Sequence, residues 1–282
     1  MTKLREQMKR DLQIKGFSPK TQQAYLRHVV AFSQHFGKSP DSLSTEEIKD
    51  YLHYIIVEKK LSKSYVNQAY SGLKFFYETT LSRKWDMKSI PRVKKDKKLP
   101  EVFTKEEVKK ILACTTNPKH RAILATMYAS GLRVSEVVNL KISDINSSEM
   151  QIKVCGGKGK KDRIALLSES NLKILRDYFR YYRPMYWLFP GEDENKPLTT
   201  RSVQRVLEKS KAKACISKPA TVHSLRHSFA THLLENGTDI YYIQKLLGHT
   251  NIQTTSIYLH MTSVKMKNIK SPLDTLHGDR NE

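Results

Sequence analysis

The 282-residue chain is short of acid, of cysteine and of long apolar runs. Its most apolar stretch, Tyr54-Ile55-Ile56-Val57, is far below the length that crosses a bilayer, so no membrane partner is expected. The first residues, MTKLREQMKRDL, lack an apolar core and a cleavage site, and no secretory signal is expected there. Three scattered cysteines, Cys114, Cys155 and Cys215, argue for a reducing compartment and against a disulfide framework or a thiolate zinc site. A phosphate-binding Walker loop is missing: Gly156-Gly157-Lys158-Gly159 fails the required spacing, so nucleotide hydrolysis has no support. His223 and His227 stand four apart, yet Ser224 occupies the place where a zinc protease helix carries Glu, so no metal is expected. The acid deficit is the largest of these shortages. Asp and Glu number 28 against 50 Lys and Arg, a formal charge of +22. Residues 1–100 hold 21 basic and 10 acidic residues, and residues 101–282 hold 29 and 18, so both halves are equally basic. A polyanion lying against both halves is the natural partner. With 39% hydrophobic and 28% charged residues the chain is otherwise an ordinary globular one, long enough for two cores.

Residues 1–90 read as a small helical bundle. Ser18-Pro19 is a cap followed by a first-turn proline, Tyr25, Val29, Phe32 and Phe36 share one helical face, and Gly37 stops that helix. Ser44 with Glu47 is a capping box opening a helix through Tyr51, Leu52 and Ile55. Ser62 or Ser64 opens another, with Val66, Ala69, Leu73 and Phe76 on one face. Residues 91–100, PRVKKDKKLP, carry no apolar period and read as an exposed basic linker. Its Arg92, Lys94, Lys95, Lys97 and Lys98 are candidate phosphate contacts. Beyond it, Thr104 and Glu107 form a second capping box, and helical pattern runs to Ser130 before Gly131. Met150–Val154 then alternates, and Arg163–Leu167 is a second strand, a hairpin around GGKGKK. Helices are expected over about 169–181, 199–213, 222–236, 239–247 and 252–259. The expected fold is mainly α with a small antiparallel β-hairpin.

Several short words carry chemistry. In T-V-H-S-L-R-H-S-F-A-T-H (221–232), His223 and Arg226 are three apart, while Leu225, Phe229 and Leu233 form a stripe for burial. The pair is therefore expected to face away from the core, where an imidazole beside a planar guanidinium suits an oxyanion or phosphate. Taken alone it is equally an ordinary surface pair. In A-S-G-L-R-V-S-E (129–136), Arg133 follows a glycine helix stop, with Glu136 placed to orient it. In L-L-G-H-T-N-I-Q-T-T-S-I-Y-L-H (246–260), His249 sits at a break and Tyr258 follows nine positions later, on its own a helix-packing aromatic. Lys158 stands at the hairpin tip, with Lys160 and Lys161 beside it.

Their joint order is more specific than any member. Arg133, Lys158, His223, Arg226, His249 and Tyr258 resemble, in order and context, the catalytic set of the tyrosine recombinases, the phage integrases and Xer recombinases. The words SGLRVSEVVNL, GGKGKKDR, HSLRHSFATHLLENG and IQKLLGHTNIQTTSIYLH match too, and the likeness spans roughly residues 1–270. Ser271-Pro272-Leu273-Asp274 and the KPAT of residues 218–221 look like integron integrases, but only residues 191–197 stand where those carry an extra helical insertion. A further N-terminal arm-binding domain is not expected either. This is similar to a compact recombinase of the Xer-like or mobile-element type.

The resemblance implies a function. Tyr258 would attack a phosphodiester, leaving a 3′-phosphotyrosine and a free 5′-hydroxyl. His223 would accept the phenolic proton, and Arg133 and Arg226 would clamp the non-bridging oxygens. Lys158 would protonate the departing 5′-oxygen, and His249 would hydrogen-bond the phosphate. Lys160 and Lys161 would add DNA contacts. No cofactor, metal or ATP would be needed. Residues 1–90 would be a SAM-like core-binding domain, 91–100 the linker and 101–282 the catalytic domain. The two would form a C-shaped clamp on double-stranded DNA. A tail at about 261–282 would dock in trans within a homotetramer holding two DNA sites. The protein would work in the bacterial cytoplasm, associated with the nucleoid when bound to DNA, to integrate or excise a mobile element or to resolve one. A type IB topoisomerase-like enzyme and an inactive DNA-binding accessory protein are the alternatives.

Overall fold

The computed structural model describes residues 3–86, 90–94, 99–156, 162–249 and 251–260. Contacts divide the chain into two compact units, Met1–Lys98 and Leu99–Glu282.

The first unit contains α1 (Lys3–Ile14), α2 (Pro19–Phe36), α3 (Thr45–Val57) and α4 (Lys63–Phe75). Its boundaries follow local chemistry. The Ser18 hydroxyl accepts from the Thr21 amide, ahead of Pro19 in the first turn of α2. Ser44 and Glu47 satisfy each other's amides at the start of α3. Ser62 accepts from the Tyr65 amide and caps α4. A π-helical turn, Phe76–Thr80, extends α4 and buries Phe76 and Tyr77. Met8, Leu12, Phe32, Ile55, Val66 and Leu73 meet in the core. Ile90 and the described part of the expected exposed linker, residues 91–94, are fastened to α4. Ile90 is buried, Asn67 Nδ2 donates to the Val93 carbonyl at 2.9 Å, and Arg92 donates to Ser71 Oγ at 2.9 Å while lying over the Tyr70 ring. A single buried isoleucine and one stacked arginine are too little to leave a periodic signal.

The second unit opens with α5 (Lys105–Cys114), α6 (Pro118–Ser130) and α7 (Val134–Val138). The single helical pattern read up to Ser130 is thus two helices. Pro118 cannot continue a helix from behind, and Asn117 caps the new one by accepting from the His120 amide at 3.0 Å. A three-stranded antiparallel sheet follows, ordered β1 (Ile145–Asn146), β2 (Gln151–Val154), β3 (Arg163–Leu166). The expected hairpin is β2–β3, with Val154 opposite Arg163. The edge strand β1 has two residues, too short to show a period. The remaining helices are α8 (Glu169–Tyr182), α9 (Thr200–Lys213), α10 (Val222–Glu235), α11 (Ile240–Leu247) and α12 (Gln253–Ser256). The helix expected over 252–259 is therefore only one turn of α12, passing into a 3₁₀ turn, Ile257–His260.

Helix α10 lies at the centre of this unit, against α6 on one side and α11 on another. Leu225 and Phe229 are buried as expected, with Leu233 half-buried. Ser224, Arg226, Ser228 and Thr231 are buried too. The expectation that His223 and Arg226 turn together away from the core is corrected: His223 is exposed, but Arg226 is 4% exposed. A helix covered on several faces has no polar side left for a residue at that position. The mainly α architecture with one small antiparallel sheet agrees with the sequence.

Candidate active site

The site is built around one carboxylate. Arg133 is the N-cap residue of α7, and Glu136 sits one turn on. Glu136 Oε2 accepts from the Arg133 amide at 2.8 Å, and Oε1 accepts from the Arg133 guanidinium at 2.7 Å. From the first residue of β3, Arg163 donates to Glu136 Oε2 at 2.9 Å. The buried Arg226 guanidinium lies 3.8 Å from the same oxygen. Three guanidiniums therefore surround Glu136, whose side chain is 5% exposed. Burial works to raise its pKa. The charge of Arg163, the hydrogen bonds from Arg133 and the charge of Arg133 outweigh it and hold the group below the ordinary value.

Backbone carbonyls complete the mounting. Arg226 donates to Gly131 O at 2.7 Å and to Leu247 O at 2.6 Å. Arg163 Nε donates to Leu246 O at 3.2 Å. These carbonyls belong to the C-terminal ends of α6 and α11, where orphan acceptors and the negative ends of two helix dipoles converge. Gly131 makes this possible in two ways. Its φ is +60°, and a Cβ there would stand 2.4 Å from Phe229 Cδ1. Gly248, at φ +63°, leaves room for Arg163 in the same manner: a Cβ would meet Arg163 Cδ at 2.5 Å. Burial first, then Arg133 and Arg163, pull the Arg226 pKa down to about 9 against the opposing charge of Glu136, so it remains a cation at neutral pH.

The histidines beside the arginines are all shifted toward the neutral form. Arg226 also approaches His249 Nε2 at 3.1 Å. A guanidinium only donates, so Nε2 carries the lone pair and Nδ1–H donates to Thr255 Oγ1 at 2.9 Å. Burial, followed by Arg226, Arg133, Arg163 and His227, lowers the His249 pKa to about 4. His249 is thus neutral, and its Nε2 accepts from Arg226 in this state. His223 is exposed, yet the protein crowded around it, then Arg226 and Arg133, still lower its pKa. Tyr258 comes from the 3₁₀ turn after α12 and is 1% exposed, packed with Phe229, Ala230, Ile243 and Leu247. Burial raises its pKa, while Arg226 and Arg133 pull the other way. Its phenol meets His227 Nδ1 at 3.1 Å.

Arg133, Glu136, Arg226 and His249 are thus joined by direct contacts, with His223 one turn before Arg226 on α10. Tyr258 bonds to His227, the residue after Arg226 on α10. Arg92 and Lys94 are exposed on the first unit. Lys158, Lys160 and Lys161, and the linker residues Lys95, Lys97 and Lys98, lie outside the described residues. Two residues were missed as site members. Arg163 reads in sequence only as the start of a strand. His227 stands out only through its four-residue spacing from His223, which was weighed as a metal signal. Among the described residues no group of three His, Cys, Asp or Glu side chains could hold a metal ion. Among them, too, no helix is long and apolar enough to cross a membrane.

A helical unit followed by a second unit that gathers guanidiniums suits a phosphate-bearing polyanion such as nucleic acid. The chain belongs to the phage integrase family, whose sequence pattern matches residues 101–264, and the family's N-terminal SAM-like domain matches residues 4–87. It is 46% identical over 277 residues to a Sinorhizobium fredii protein provisionally named an integrase/recombinase, covering 98% of this chain and 90% of that one. It is 34% identical to the tyrosine recombinase XerC of Lactobacillus leichmannii, covering 88% and 90%. An integrase/recombinase of Escherichia coli is 32% identical, covering 97% and 94%. That alignment runs over 318 positions, more than this chain has, so the relative carries segments missing here. Among solved structures, XerA recombinase is 30% identical, covers 99% of both chains and superposes with a TM-score of 0.56. A lambda integrase dimer bound to a COC′ core site shares the fold, with a TM-score of 0.74 at 20% identity over 89% of this chain and 95% of that one. The protein is a tyrosine recombinase, an enzyme that cleaves and rejoins DNA.

Proposed function

We propose that this enzyme recombines two specific DNA sites through a 3′-phosphotyrosine intermediate, in the integration, excision or resolution of a mobile element. The observation that carries the reading is the mounting of Arg133, Arg163 and Arg226 around Glu136, within reach of neutral His249 and of Tyr258. Charge accumulates on the non-bridging oxygens as phosphorus becomes five-coordinate, and pre-set guanidiniums stabilise it without reorganising. The Tyr258 oxygen forms a bond to phosphorus as the bond to the 5′-oxygen breaks. The phenolic proton goes to His223, and Lys158 supplies a proton to the leaving 5′-oxygen. The phosphotyrosine ester keeps the bond energy, so a 5′-hydroxyl from another strand reseals the DNA without ATP. Arg133 and Arg226 grip the phosphate, Glu136 orients Arg133, and His249, in the tautomer with its proton on Nε2 and Nδ1 accepting from the Thr255 hydroxyl, donates to the phosphate.

In this reading residues 1–90 and 101–282 both lie on the duplex, with 91–100 as a basic linker carrying Arg92, Lys94, Lys95, Lys97 and Lys98. Lys160 and Lys161 touch DNA from the hairpin. Residues 261–282 dock on a neighbouring subunit of a homotetramer that holds two sites, in the cytoplasm of a bacterial cell. The decisive experiment uses a nicked duplex that traps cleavage product. Wild-type protein forms a denaturation-resistant, protease-sensitive adduct, and Tyr258→Phe binds the same DNA without forming it. An adduct with Tyr258→Phe would show that another residue is the nucleophile. Strand exchange between two duplexes separates a recombinase from a topoisomerase-like enzyme.

A further inference from the structure

We propose that His227 is a positioning residue for the nucleophile: its imidazole Nδ1 takes the hydrogen bond of the Tyr258 phenol and fixes where the attacking oxygen lies. The inference rests on the reading of Tyr258 as nucleophile. The two rings meet with Oη 3.1 Å from Nδ1 and centroids 5.8 Å apart. The phenol is by far the stronger acid of the two groups, so it donates, and Nδ1 is the bare nitrogen with the proton on Nε2. The buried Tyr258 ring is also packed among Phe229, Ala230, Ile243 and Leu247. Its backbone is a 3₁₀ turn of four residues, a loosely held element compared with the central helix α10. A hydrogen bond from α10 therefore registers the nucleophile against the same helix that carries His223 and Arg226.

The chemistry of His227 fits holding rather than taking the proton. Burial, then His223 and Arg226, depress its pKa to about 4, so it stays neutral and is a weak base at neutral pH. A neutral acceptor keeps the phenol oriented until DNA is bound. The phenol has one proton, so this bond opens as that proton passes to His223.

The test uses the full-length protein and the nicked duplex, measuring the single-turnover rate of adduct formation at saturating DNA together with the DNA Kd. His227→Phe keeps a ring in the space and removes the acceptor. His227→Asn returns an acceptor close to the Nδ1 position. We expect His227→Phe to slow adduct formation about tenfold or more, the rate worth of one buried hydrogen bond, with Kd unchanged. His227→Asn should recover most of that loss. Wild-type speed in His227→Phe overturns the proposal. So does a His227→Asn rate as low as that of His227→Phe, because a restored acceptor would then recover nothing. A faster His227→Phe would make the bond a restraint instead. A second measurement needs no change at 227: the ¹⁵N resonance of His227 Nδ1 should move in Tyr258→Phe toward that of an unbonded imidazole nitrogen. An unchanged resonance refutes the hydrogen bond. If Tyr258→Phe itself still forms the adduct, the nucleophile reading fails; if it does not and His227→Phe is unimpaired, only this inference does.

Discussion

Replacing Glu136 by Gln should be the most destabilising conservative change in the second unit. Gln keeps the shape but removes the one negative charge that Arg133, Arg163 and Arg226 share. It also turns one oxygen into an N–H group aimed at a guanidinium. The Arg163 and Arg226 side chains are only 12% and 5% exposed, so water cannot take over from the lost carboxylate. Breaking a buried pair by removing one partner costs about 3–5 kcal/mol. For a unit the size of Leu99–Glu282 that corresponds to a fall in Tm of about 6–20 °C. Calorimetry should show the fall in one transition only, because Glu136 belongs to one of the two units. Trp187 fluorescence in a Trp85→Phe background identifies it, since the two tryptophans lie in different units. The pH dependence gives an independent sign. A carboxyl whose pKa is depressed on folding adds stability that is complete above its unfolded value of 4.5 and is lost as pH falls through the lower folded value. Glu136→Gln should lack that acid limb. A Tm loss under about 2 °C, or an acid limb equal to that of wild type, would refute the view that this carboxylate holds the arginines in place.

Other changes test separate features. Gly131→Ala should cost about 1 kcal/mol for its left-handed backbone and about 1–3 kcal/mol for the collision with Phe229, read as a lower Tm of the second unit. Stability should also decline as pH falls from 6.5 toward 4, because His249 is held neutral in the folded protein and protonates at 6.5 when unfolded; His249→Asn should flatten that part of the curve. DNA affinity should fall about 10³–10⁵-fold between 50 and 200 mM salt if roughly 6–10 phosphates are contacted, and a nearly flat log–log plot of binding against salt would contradict two basic units on one duplex.

What the sequence disclosed depended on how local the cause was. Caps at Ser18, Ser44 and Thr104 and the stop at Gly131 are written within four residues, and they stand where the spacing puts them. The β2–β3 pair was legible because its alternation extends over four residues on each side. The break before Pro118 was hidden by apolar residues that keep a helical period on both sides of it. Arg226 was misplaced because its burial is set by α6 and α11, whose carbonyls at Gly131 and Leu247 lie 95 and 21 residues away in sequence. The same holds for Arg163 and His227. One is a strand's first residue and the other a helix neighbour of a better signal, and only tertiary packing turns them toward Glu136 and Tyr258. The candidate residues themselves were found through ordered motifs, which report chemistry even where periodicity reports little.

The arrangement also explains how three like charges can be gathered in a largely dry place before any phosphate arrives. Each buried guanidinium is tied to something negative that cannot move away. Arg226 binds carbonyls at the C-terminal ends of two helices, Arg163 binds a third such carbonyl, and both share Glu136 with Arg133. A helix end counts for about half a negative charge. Two helix ends and one carboxylate therefore offset about two of the three positive charges, leaving a surplus near one. A phosphodiester carries one negative charge, so the site is charge-matched to its proposed substrate without needing to reorganise. Burial first, and then this surplus, works against protonation of His223, His227 and His249, since a fourth cation would meet uncompensated charge. Neutral imidazoles can then accept or hand on protons while the arginines alone hold charge. On this argument, removing Glu136 would do more than loosen the fold: it would raise the surplus and depress the histidines further, shifting any acid limb of the cleavage rate to lower pH. An unchanged acid limb would mean that the histidines answer to burial rather than to the arginines.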